Sequence, residues 1–231
     1  MFGDKRWYLF SVAGNPVYVT PSFLLILAMF VGMGVQTAEQ LLVGLLWVPI
    51  LFISILLHEL GHAFASRALG YGKSQILFWG LGGLAINNYT GRRSPKNSIL
   101  VSLAGPAASL ILALISGAVL YVVEGGLSTT GLWGVFLWKM FSMNMFWAVF
   151  NLLPIYPMDG GQAMRSGFEM IFKNHSKATR LTGIVSIVTL IIAVVFAQFA
   201  LRGLGMFTIF LALYFGYLNY KLIQGQGQRW Y

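Results

Sequence analysis

Six apolar runs, each about as long as a bilayer is thick, constrain this chain more than any other feature. They fall at Val17–Gln36, Leu41–Ser66, Ile99–Val123, Leu132–Leu153, Leu181–Leu201 and Leu204–Ile223. A helix rising ~1.5 Å per residue needs roughly 20 mostly apolar residues to cross ~30 Å of hydrocarbon. Only 9% of the residues are charged, and the mean hydropathy is +0.76. A water-soluble domain carries about 25% charged residues. This chain therefore cannot clothe a water-facing surface, and its main solvent is lipid. The expected fold class is an all-α polytopic membrane protein with six transmembrane helices. To these the sequence adds a small membrane-associated β-hairpin-like segment and a Pro-broken fourth helix.

The charges that remain give an orientation. Of the 15 Lys and Arg, Lys139 falls inside the fourth run. With the N-terminus inside, Arg202 alone lies on the far face and the other thirteen share the near one. Basic residues mark cytoplasmic loops, so both termini are expected in the cytoplasm. The net charge of +9 is this topology signal, and nucleic acid is not an expected partner. Met1–Pro16 lacks the apolar core and small-residue cleavage site of a secretory signal, so the first run is expected to remain in the mature protein. The absence of cysteine excludes disulfide and thiolate chemistry.

Two connections are more than loops. Ile76–Asn88 reads ILFWGLGGLAINN, apolar but too short to span. Its glycines suit a strand–turn–strand. Asn151–Gly161 reads NLLPIYPMDGG, and Pro154 and Pro157 must break the fourth helix there. Non-helical backbone at membrane depth survives only where protein or a water-filled cavity satisfies it.

The second run holds His58-Glu59-Leu60-Gly61-His62, an HExxH pattern. On a helix the two imidazoles share a face one turn apart and can hold one zinc ion, with Glu59 beside it as a base for water. Ionisable groups within a span cost about 2.5–3.5 kcal/mol each on insertion scales. A merely helix-tying polar cluster is therefore the poorer reading. A catalytic zinc takes three protein ligands and one open position. His175, in the basic stretch Lys173–Arg180, reads as a solvated loop residue. Asp159, flanked by Gly160 and Gly161, is the best third ligand, although it can also cap a short helix starting at Gly160, and both roles can hold at once. The second and fourth runs both descend toward the inner face. His58 lies nine residues before Arg67 and Asp159 six before Arg165. At helical rise these are ~13 and ~9 Å, a similar depth.

These residues make the chain resemble the site-2 protease family of intramembrane zinc metalloproteases. The resemblance rests on His58–His62, Asn151-Leu152-Leu153-Pro154 and Pro157-Met158-Asp159-Gly160, and extends to Gly80–Ala85 and Ala104-Gly105-Pro106. It covers about residues 41–161. It implies Zn2+ as cofactor, His58, His62 and Asp159 as its ligands, and Glu59 and Asn151 as catalytic residues. Asn151 has the chemistry of an oxyanion donor, but helix–helix hydrogen bonding would use it as well. The implied partners are the bilayer and a single-span membrane protein, cut in or near its span to free a cytoplasmic regulator. The expected setting is the cell membrane of a prokaryote. Residues 1–231 are expected to form one membrane-embedded protease domain without a PDZ or CBS domain. A transporter would suit a broken helix, but nothing in that class requires Glu between two His. A prenyl-peptide protease would take Glu as third ligand, and no run offers a suitable one.

Overall fold

The computed structural model describes residues 5–91, 93–126, 129, 131–200 and 205–226. Arg92, Arg202 and Arg229, used in the charge argument, lie outside them. The chain divides into two compact units: Met1–Thr90 with Ala104–Ala148, and Gly91–Leu103 with Val149–Tyr231.

In the first unit, β1 (Trp7–Val12) and β2 (Asn15–Val19) form an antiparallel hairpin. Ala13 and Gly14, at φ 49° and 77°, make a two-residue turn with the twist that paired strands require. β2 buries Asn15, Val17 and Val19 on one face, the period-2 pattern of a half-buried strand. Pro21 then opens α1 (Pro21–Gly32), where a missing N–H costs nothing. The expected first span therefore begins too early. Val17–Val19 are β-branched or aromatic and take the strand, which leaves α1 only 12 residues.

The second hairpin falls where the sequence places it, as β3 (Ser74–Trp79) and β4 (Gly82–Asn87). The sheet is larger than expected, however. β3 pairs in parallel with β2, Val17 opposite Ile76, and joins the hairpins in the order β1-β2-β3-β4. Against this sheet lies α3 (Trp47–Ala68), which continues α2 (Ala38–Leu45) through a helical Leu46. A capping box between Thr37 and Gln40 starts α2. Val17, Val19, Phe23, Ile55, Leu60, Ile76 and Phe78 pack into one buried cluster that fixes α3 on the sheet. Two further helices, α4 (Pro95–Glu124) and α5 (Gly131–Leu152), have parts in both units. In the first unit, Met140 and Met143 of α5 pack on Ile50 and Leu51 of α3.

The second unit contains α6 (Asp159–Phe172), α7 (His175–Ala200) and α8 (Met206–Ile223). α5 ends at Leu152, ahead of Pro154, as the sequence requires.

Among the described residues three helices are long and apolar enough to cross a membrane: Ala38–Ala68, Pro95–Glu124 and His175–Phe199. Their polarity is inverted relative to a soluble protein. Val122, Phe196 and Phe199 are 81%, 71% and 80% exposed, whereas Ser54, Ser109, Thr182 and Ser186 are buried. Lipid welcomes the first set, and the second set allows close helix approach and hydrogen bonding inside. The protein is an integral membrane protein.

Candidate metal centre

α3 carries His58, Glu59 and His62 in its C-terminal half, and the first two are buried. The helical turn brings His58 Nε2 and His62 Nε2 to 3.2 Å of each other. Two imidazoles each ~2.0–2.1 Å from a tetrahedral ion would stand about 3.3–3.4 Å apart, so this pair fits one metal. The other ring nitrogen of His58, Nδ1, meets the buried Ser109 Oγ at 3.0 Å. With Nδ1–H donating there, the Nε2 lone pair is left for the metal. Trp147 closes on the His58 ring edge-to-face at 6.5 Å between centroids.

Two glycines make room for this group. A Cβ at Gly105 of α4 would overlap His62 Nε2 and lie 2.8 Å from His58 Nε2. A Cβ at Gly83 of β4 would lie 2.5 Å from Glu59 Cγ and 2.6 Å from Glu59 Oε1. The backbones of α4 and β4 thus form the walls around the pair and the carboxylate. Gly61 lets α3 approach α4, since a Cβ there would overlap the Ala104 carbonyl oxygen.

The second unit holds Asn151 and Asp159. Asn151 is half-buried one residue before the end of α5. Asp159 is buried and is the first residue of α6, with Met158 as its N-cap. The capping alternative is thereby corrected: the carboxylate stands within the first turn, where the free amides favour negative charge. Gly160 and Gly161 permit the fold-back. A Cβ on the first would overlap the Leu152 carbonyl oxygen, and one on the second would lie 2.6 Å from the Ile155 carbonyl oxygen. The break is well satisfied. The Leu153, Ile155 and Met158 amides donate to Phe150, Leu153 and Ile155 carbonyls at 3.2, 2.7 and 2.9 Å, and Gln162 Nε2 donates to the Pro157 carbonyl at 2.9 Å. His175 stands half-exposed as the first residue of α7, not in a loop, with its Nδ1 3.2 Å from Glu169 Oε2, a surface position.

Sequence reasoning identified the histidine pair and the glutamate on one helix. It missed Ser109, although its place one turn beyond Gly105 put it on the same helical face. It also missed Trp147, for which no sequence signal exists.

Two histidines one helical turn apart, with a buried glutamate beside them and glycine-walled backbone around them, define a candidate metal centre. Peptidase family M50 matches this chain over residues 47–130 and 119–196, and the chain belongs to that family. A putative zinc metalloprotease of Synechocystis is 34% identical over 179 residues, covering 72% of this chain and 45% of the relative. A zinc metalloprotease of Methanocaldococcus jannaschii is 30% identical over 159 residues, covering 68% and 44%. The chain thus spans less than half the length of these two relatives. The solved site-2 protease from Methanocaldococcus jannaschii superposes with a TM-score of 0.64 at 23% identity, covering 95% of each chain, and shares the fold.

Proposed function

We propose that this protein is a zinc-dependent intramembrane endopeptidase, with residues 1–231 acting as one protease domain. The observation that carries the reading is the pair of imidazole nitrogens 3.2 Å apart beside a buried glutamate on an apolar helix. The zinc metalloprotease relatives support it. His58 and His62 would hold the ion, with Asp159 as third ligand. Bound there, zinc would supply a Lewis acid and make water easier to deprotonate. Glu59 takes the proton from the attacking water and later returns it to the leaving amine. Asn151 donates a hydrogen bond to the developing oxyanion. Gly83 keeps β4 against Glu59, which holds the base in place.

The substrate in this reading is a single-span membrane protein. All six apolar runs cross the membrane of a prokaryotic cell, the first with α1 as its helical part, and both termini are cytoplasmic. A helical substrate hides its carbonyls in hydrogen bonds and must unwind before attack. β4 lies at the edge of the sheet beside Glu59, so an unwound segment can add to it as a further strand. The charge-based depth places the cut near the cytoplasmic end, freeing a cytoplasmic regulator.

The test is purified protein in liposomes with single-span substrates, with and without chelator, and mass spectrometry of the products. Chelation should abolish cutting, added zinc should restore it, and the cuts should cluster in the inner half of the span. Chelator-resistant cutting would overturn the zinc assignment, and cuts in the outer half would overturn the depth assignment.

A further inference from the structure

In the broken segment between α5 and α6, the backbone of Tyr156 is gripped by two other helices. The Tyr156 amide donates to Ser186 Oγ on α7 at 3.0 Å. The Tyr156 carbonyl accepts from Asn219 Nδ2 on α8 at 2.6 Å. Ser186 and Asn219 are both fully buried, and the Tyr156 side chain is buried beneath the Arg165 guanidinium, 5.4 Å from its ring centre. Both polar groups of one peptide residue are therefore held by two different helices, 30 and 63 residues further along the chain. Tyr156 stands three residues before Asp159.

The grip is built in. Asn219 Nδ2 also donates to the Phe215 carbonyl one turn back, at 2.8 Å, which fixes its rotamer. α7 and α8 come close at this level, since a Cβ at Gly183 would lie 2.9 Å from the Asn219 carbonyl oxygen. Asn219 Oδ1 is buried without a protein partner among the described residues. Simple packing would be served better by an apolar side chain, so the amide is retained for its bond to the loop.

We propose that Ser186 and Asn219 are positioning residues for the metal ligand Asp159. They clamp Tyr156, and the Gly160–Gly161 fold-back carries that constraint to the carboxylate. The α7–α8 pair is then part of the metal site without touching the ion. The inference rests on the reading of Asp159 as a zinc ligand, and the experiment separates the two.

Zinc affinity is measured by competition with a chelating dye for the full chain in detergent, together with the melting temperature of the metal-free protein. Ser186→Ala, a mild change within a helix, should weaken zinc about tenfold, the low end for groups that orient a ligand. Asn219→Leu should do the same. Each change leaves a buried polar group of Tyr156 unpaired, so the melting temperature of the metal-free protein falls modestly in both. Zinc affinity is read at a temperature where the metal-free variants remain folded. In an Asp159→Ala background, where the loop has no ligand to place, Ser186→Ala should change nothing further. Native affinity in folded Ser186→Ala protein overturns the clamp, as does an equal loss in both backgrounds. If Asp159→Ala weakens zinc while Ser186→Ala does not, only the clamp falls. If Asp159→Ala binds zinc as the native protein does, the ligand reading falls and the clamp with it.

Discussion

Glu59 is 5% exposed and lies against β4 at Gly83, so its carboxylate has little freedom to leave the histidine pair. That arrangement separates two roles which a single knockout would confuse. Glu59→Gln keeps the size and shape of the side chain but cannot accept the proton. The variant should bind zinc as the native protein does and lose cleavage by about 10²–10⁴-fold. Metal analysis and turnover on the same preparation check this, and near-native turnover would remove Glu59 from the mechanism. Glu59 and the two imidazoles were legible as residues because their spacing is a property of one helix turn. Ser109 was not, because a serine in an apolar helix ordinarily serves packing. Only its 3.0 Å approach to His58 marks it as the group that orients the ring.

At the scale of elements, the site depends on how closely backbone can approach side chain. Gly105 allows α4 to run directly beside the imidazole pair, and a methyl group there would occupy the position of His62 Nε2. Gly105→Ala should therefore push α4 away or turn an imidazole aside. Overpacking of this kind costs about 1–3 kcal/mol, which should weaken zinc roughly tenfold or more. Gly216→Ala on α8 is the control, because its nearest neighbour would be Leu190 Cδ2 at 3.8 Å. Equal zinc affinity in the two variants would show that α4 does not wall the site. Sequence patterns located α2–α3, α4, α5 and the β3–β4 hairpin, since hydrophobic length and glycine punctuation are local properties. They misjudged the first run, in which Val17–Val19 became a strand. Isolated, the stretch reads as helix or strand equally well, and pairing with Ile76–Phe78 decides for the strand.

For the whole molecule, the charge distribution makes a prediction of its own. Both termini should face the cytoplasm, with Glu39 on the far side. The chain has no cysteine, so single cysteines placed near the termini and at position 39 report their side by labelling with an impermeant thiol reagent in intact cells. Labelling of either terminus from outside would overturn the orientation and, with it, the expectation of a cytoplasmic product. The proposed zinc site would be untouched by that result, because it rests on the geometry of His58 and His62 on α3.

The sequence by itself determined that the protein lives in lipid, that α3 carries two histidines one turn apart with a glutamate between, and that the chain breaks before Asp159. These are consequences of composition, helix periodicity and proline stereochemistry, which act over one turn or one run and need no partner. Only the tertiary structure decided what surrounds those residues. The β2–β3 pairing, the glycine walls at Gly83 and Gly105, the Ser109 contact and the grip of Ser186 and Asn219 on Tyr156 each join positions about 20 to 60 residues apart. Such contacts depend on which small or polar residue meets which backbone once the helices have packed. In lipid, where apolar burial scarcely discriminates among helix pairings, close approach and hydrogen bonding make that choice.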